Sequence, residues 1–166
     1  MTSPLSETPS RPIARVAKEL AANSGFLLAR LGLAFKAKAI ERVEREGSEL
    51  HQYSVLAILD EGARETQGTI ADALGVDPSR MVAVLDALEE RGLVERRRDP
   101  HDRRRHTVSI TSEGKRQLAR LRAIARQLNE ELLAPLAPED RETFHRLLVR
   151  LAASHDPTCA FDETTG

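Results

Sequence analysis

Aromatic side chains are nearly missing from this chain. Its 166 residues include no tryptophan, one tyrosine and four phenylalanines. A core must therefore come mostly from Leu, Ala, Val and Ile, which suits helices packed on one another. Cysteine is as scarce: the single Cys159 rules out an intrachain disulfide framework and fits a reducing compartment. No apolar run approaches the ~20 residues that span a bilayer. The opening stretch MTSPLSETPSRP is polar and proline-rich, without the apolar segment of a signal peptide. These absences point to a cytoplasmic protein with no membrane partner. Catalytic equipment is also missing, with no nucleophile–base pair and no phosphate loop. His51, His101, His106, His145 and His155 show no tight ligand spacing, and one cysteine cannot complete a thiolate site. No catalytic residue, metal or cofactor is expected.

What is present is concentrated between Thr66 and Ile110. Thr66 is suited to cap a helix, since its side-chain oxygen can accept from the orphan N–H groups of the first turn. Ile70, Ala71 and Leu74 then give one apolar face, and Gly75 stands where a left-handed C-cap residue belongs. Asp77 caps a second helix, with Pro78 at the first position, where a missing N–H costs nothing. Two helices separated by so short a turn, with glycine in it, carry the helix-turn-helix signature. Met81, Val84, Leu85 and Leu88 mark the buried face of the second helix. Ser79, Arg80, Ala83, Asp86 and Ala87 mark the opposite face, small and polar at its N-terminal end, a surface that entry into a major groove would explain.

The period changes after Gly92. Val94, Arg96 and Arg98 alternate with Glu95 and Arg97, and His106 to Ile110 alternate back, with a polar loop holding Pro100 between them. The expected structure is a two-stranded hairpin. From Arg91 to Arg105 seven arginines face three carboxylates, Glu95, Asp99 and Asp102, a local charge of +4 in a chain of net charge −1. Charge concentrated beside a recognition helix is an electrostatic footprint for phosphate.

At these residues the chain resembles the MarR family of bacterial winged helix-turn-helix regulators. The matching pieces are T-Q-x-x-I-A-x-x-L-G-V (Thr66 to Val76), D-P-S (Asp77 to Ser79), L-E-E-R-G-L-V-E-R (Leu88 to Arg96), D-R-R (Asp102 to Arg104) and I-T-x-x-G (Ile110 to Gly114). One departure is Val82, where the family often has Thr or Ser, so no hydroxyl contact to phosphate carries over to that position. The resemblance implies a mainly α fold, a winged helix-turn-helix DNA-binding domain flanked by N- and C-terminal dimerisation helices. It also implies a homodimer whose wings straddle the duplex.

The rest of the chain fits that plan. Residues 1–11 read as a disordered tail. Residues 12–153 form one unit, with dimerisation helices at 12–46 and 112–153 and the winged helix-turn-helix at 48–110. Residues 154–166 are a polar tail. Val16, Leu20, Leu27, Leu31, Phe35, Ala39 and Val43 recur at helical spacing from Ile13 to about Arg45, and Ser24-Gly25 is placed to interrupt them. So broad a stripe exceeds what one small domain needs. It is read as core for most of its residues, with part of it packing on a second subunit. Ser48 is placed to cap a helix that buries Tyr53, Val55, Leu56 and Leu59. Thr111 caps a long helix with Gly114 in its first turn. A last helix from Pro138 presents Phe144, Leu147, Leu148 and Leu151.

Roles follow from position. Arg80 is suited to bidentate contact with a guanine edge and Ala83 to a thymine methyl. Pro78 and Ser79 open the same helix. Gln67 and Thr69, at the start of the preceding helix, are placed for phosphate. Arg98, Arg103, Arg104 and Arg105 approach the minor groove or its phosphates. The resemblance points to Arg104 as the inserted residue, with Asp102 holding the arginine geometry. It also implies that small aromatic acids bind where the DNA-binding unit meets the dimer helices, where Arg30, Phe35, His51 and Tyr53 are the candidates beside the alternative of core packing. The leading function is a dimeric regulator of a pseudo-palindromic duplex DNA operator, expected to be a repressor released by a small ligand. An effector-independent architectural DNA binder and a winged-helix protein-interaction module are the alternatives. An enzyme is the remotest.

Overall fold

In the computed structural model the described residues are 15–61, 65–98 and 106–159. The expected tail 1–11, residues 62–64, the loop 99–105 with Asp102, Arg103, Arg104 and Arg105, and residues 160–166 lie outside them.

The chain divides into two units, residues 1–34 and 35–166. The first holds α1 (Lys18–Ala21) and the beginning of α2 (Ser24–Arg45). Asn23 starts α2, its Oδ1 accepting from Phe26 N–H at 2.9 Å. The interruption expected at Ser24-Gly25 therefore falls just before that pair. Val16, Leu20, Leu27, Leu28 and Leu31 stay 43–50% exposed.

The second unit contains α3 (Leu50–Asp60), β1 (Glu65–Thr66), α4 (Gln67–Leu74), α5 (Pro78–Glu90), β2 (Val94–Arg98), β3 (His106–Ile110), α6 (Ser112–Leu133) and α7 (Pro138–His155). Its core is aliphatic, as the shortage of aromatics requires. Val55, Leu56 and Leu59 of α3 meet Ile70 and Ala71 of α4, and Met81, Val84, Leu85 and Leu88 of α5. Val94 and Val108 close it from the sheet, and Leu118 and Leu121 from α6. Each fully buried leucine contributes roughly 1.5–3 kcal/mol of transfer free energy. No buried side-chain polar atom among the described residues lacks a hydrogen-bond partner. No described helix is long and apolar enough to cross a membrane.

Among the described residues the expected two-stranded hairpin, β2 and β3, is present and a third strand joins it. The strand order is β1-β3-β2, antiparallel throughout, with Glu65 opposite Val108 and Val94 opposite Ile110. The two-residue β1 joins the free side of β3; so short a segment has no periodicity to betray it. Alternation then sorts the wing residues. Val94, Arg96 and Arg98 share the face of Val108, which is buried. Glu95 and Arg97 lie on the other face, joined at 3.0 Å.

Ser48 does not cap α3. The cap is Glu49, which forms a reciprocal capping box with Gln52. Ser48 is buried, and its Oγ accepts from Gln117 Nε2 at 3.0 Å and from Arg91 Nη1 at 3.3 Å. Arg91 Nη1 also donates to the Oε1 of buried Gln52 at 2.9 Å. One guanidinium at the end of α5 thus ties it to α3, and through Ser48 to α6. Tyr53, expected inside, is only half-buried, packed against the core's margin. On α7, Phe144 and Leu148 are half-buried, and Leu147 and Leu151 remain 47% and 54% exposed.

Candidate nucleic-acid interface

The interface is built from the turn outward. Thr66 caps α4, its Oγ1 accepting from Thr69 N–H at 3.2 Å, and Thr69 Oγ1 returns the favour to Thr66 N–H at 2.9 Å. Gly75 ends α4 at φ +57°, ψ +33°, a left-handed conformation that costs a residue with a Cβ about 1 kcal/mol or more. Val76 N–H then closes back on Ala71 O at 3.0 Å, and Asp77 begins the next helix at once. Its Oδ1 accepts from Ser79 N–H at 2.8 Å and from Arg80 N–H at 3.4 Å. The Ser79 hydroxyl donates to the same oxygen. That hydroxyl above all, then the two N–H groups, hold the Asp77 carboxyl below its ordinary pKa. The carboxylate stays charged at the N-terminus of α5, where a negative charge suits the helix dipole.

Alpha5 buries Met81, Val84, Leu85 and Leu88, the four residues its spacing predicts. Pro78, Ser79, Arg80, Val82, Ala83 and Asp86 are exposed. The surface offered to a groove thus begins with a serine, an arginine and an alanine, and Val82 adds 38% exposed apolar surface where a hydroxyl would stand. Gln67 is half-buried and Thr69 exposed at the head of α4. The Thr69 hydroxyl lies 2.5 Å from Glu65 Oε2 and 2.8 Å from Thr66 O. A phosphate oxygen would therefore compete with acceptors inside the chain for its one proton.

The arginines beside α5 are not equivalent. Arg91 faces the buried polar group at Ser48 and Gln52. Arg96 Nη1 bridges Asp86 Oδ1 at 2.5 Å and Glu89 Oε2 at 2.8 Å on α5. Arg97 pairs with Glu95. Arg98 is exposed at the far end of β2, opposite His106. The charge count along the sequence therefore overstates what residues 91–98 offer to phosphate, because Arg91 and Arg96 are engaged with the scaffold. Which acid or amide an arginine meets once the elements pack leaves no mark on a linear count.

The four candidate ligand residues do not all fall in one unit. Arg30 is exposed on α2 within residues 1–34, whereas Phe35, His51 and Tyr53 are half-buried in the second unit. None of them lines the surface cavity of about 810 Å³ along α6, formed by Ala123, Arg126, Gln127, Asn129, Glu130 and Glu131. Among the described residues no group of three or more His, Cys, Asp or Glu is placed to hold a metal ion.

A helix-turn-helix whose second helix is exposed along one face, with a basic β-pair packed beside it, defines a winged helix-turn-helix DNA-binding protein. The sequence profile of the MarR family matches residues 49–106. A protein of Thauera aromatica named as a transcriptional regulator of the hcr operon is 32% identical over 142 residues, 85% of this chain and 86% of that one. The fold is similar to CouR from Rhodococcus jostii RHA1 bound to p-coumaroyl-CoA (TM-score 0.72, 30% identity, 89% of this chain and 100% of that one). It is also similar to the transcriptional repressor CouR bound to a 23-mer DNA duplex (TM-score 0.74, 33% identity, 84% and 99% covered). The chain belongs to the MarR family of transcriptional regulators.

Proposed function

We propose that the chain acts as a homodimer on a pseudo-palindromic DNA site, as a repressor that a small aromatic acid or its coenzyme A thioester releases. The observation that carries the DNA reading is the exposed N-terminal face of α5, Ser79-Arg80 and Ala83, set beside a wing rich in arginine. In this reading Arg80 reads a guanine edge and Ala83 meets a thymine methyl. Pro78 and Ser79 bring the start of the helix to the groove floor. Gln67 and Thr69 place the N-terminus of α4 against phosphate. Arg98, Arg103, Arg104 and Arg105 reach the flanking minor groove, with Asp102 orienting Arg104.

The dimer reading is supported by apolar surface exposed among the described residues, Leu27, Leu28 and Leu31 on α2, and Leu147 and Leu151 on α7. Support for a repressor with an aryl ligand comes from the CouR complexes, one with DNA and one with p-coumaroyl-CoA. Within the second unit Phe35, His51 and Tyr53, all half-buried, would supply the apolar wall and hydrogen bonds. Such a ligand must bind the DNA-incompetent arrangement more tightly than the competent one, since equal affinity shifts nothing.

The test is a titration of labelled duplex, recovered by selection from random sequence, with wild-type protein and Arg80→Ala. The variant is expected to lose about 1–3 kcal/mol and to relax preference at one position in each half-site. An unchanged preferred sequence would remove Arg80 from the groove. Adding p-coumarate and p-coumaroyl-CoA to the wild-type complex is expected to release DNA with at least one of them. Full retention with both would remove the aryl ligand from the proposal.

A further inference from the structure

We propose that Arg96 is a positioning residue, a clamp that sets the wing against the recognition helix, and not a phosphate ligand. The inference rests on the reading of α5 as the groove helix and adds a residue to it. The register places Arg96 opposite Val108, so its side chain leaves the sheet on the face turned to α5. Asp86 and Glu89 stand three residues apart on α5, hence on one side of the helix. Between them Nη1 of Arg96 makes contacts of 2.5 and 2.8 Å. Glu89 also accepts from the backbone N–H of Arg96 at 3.2 Å, occupying a donor on β2, an edge strand of the sheet. The Arg96 side chain is 21% exposed, against 73% for Arg97. Asp86 and Glu89 are 51% and 41% exposed, so the hold comes from one half-buried cation shared by two carboxylates with a main-chain bond beside it, a network that fixes geometry better than a single exposed pair does.

The arrangement serves DNA binding in two ways. It fixes the base of β2 to the helix that enters the groove, so the wing and the helix address the duplex as one body. It also offsets part of the negative charge that Asp86 and Glu89 would otherwise turn toward phosphates from the recognition helix itself.

The two roles of Arg96 predict opposite signs. If Asp86 and Glu89 were only negative surface near DNA, the double variant Asp86→Asn, Glu89→Gln would bind more tightly, and Arg96, freed, would gain a phosphate. The clamp predicts the reverse, because the wing loses its hold although two negative charges have gone. Affinity for the selected duplex is expected to fall about fivefold or more, with sequence preference kept at the positions α5 reads and lost outside them. Adding Arg96→Gln to that double variant is expected to change affinity little, since its partners are already absent. Arg96→Lys, which keeps the charge but reaches two carboxylates less well, is expected to fall between wild type and the double variant, and it serves if the double variant does not fold. Unchanged unfolding midpoints would show that the loss lies in binding. Tighter binding by the double variant, or Arg96→Lys equal to wild type, would overturn the clamp while leaving α5 in the groove. A wild-type protein that selects no sequence would overturn both.

Discussion

Gly114 shows how far one residue constrains this structure. It lies in the first turn of α6, buried, where a Cβ would stand 2.0 Å from Leu93 O and 2.7 Å from Ile110 Cγ1. The nearer atom is main chain and cannot rotate away. Thr111 locks the same corner: its Oγ1 accepts from Gly114 N–H at 3.0 Å and lies 2.7 Å from Gly92 O. Gly114→Ala is therefore expected to cost about 3 kcal/mol or more, read as a lowered midpoint in urea. A loss under about 1 kcal/mol would show that the corner yields. Asp77 makes a prediction of a different kind. Its folded pKa is lowered, so its contribution to stability is complete above the unfolded value and is lost as pH falls through the folded one. The carboxyl carbon shift of Asp77, followed by NMR from about pH 4 downward, is expected to titrate below that of an unfolded Asp. Titration at or above the unfolded value would remove the cap's preference for charge.

At the scale of elements, α5 is held at both ends by different chemistry. Asp77 caps its start and Arg91 ties its end to Gln52 and, through Ser48, to Gln117. Arg91→Ala would strip a donor from two buried oxygens. A cost of about 1–3 kcal/mol is expected, with Gln117→Leu in the same background adding less than it does alone. Strict additivity in denaturant titrations would mean the three elements are not coupled there. The helices themselves were legible in the sequence, because caps and apolar spacing act locally: Thr66, Gly75, Asp77, Pro78 and Thr111 stand where their chemistry predicts. The hairpin was legible from its change of period. What escaped was tertiary, set by which elements pack together. Ser48 reads as a cap and is instead a buried acceptor for residues 43 and 69 positions away. Arg96 reads as one more arginine in a basic run and is instead engaged by two acids of α5. Strand β1 depends wholly on the partner it finds in β3.

For the whole molecule, the proposed dimer would present two α5 helices to one duplex. A chain of net charge −1 does not bind DNA by bulk attraction, so its affinity must come from a local basic surface. Dimeric helix-turn-helix proteins place their half-sites about 34–36 Å apart, one duplex turn. Selection from a random DNA library by purified full-length protein, at two salt concentrations, tests this most directly. The expected result is a palindrome with half-sites about one turn apart, recovered at both salts. No enriched sequence, with binding that vanishes at the higher salt, would contradict the claim and leave non-specific electrostatic attachment in its place.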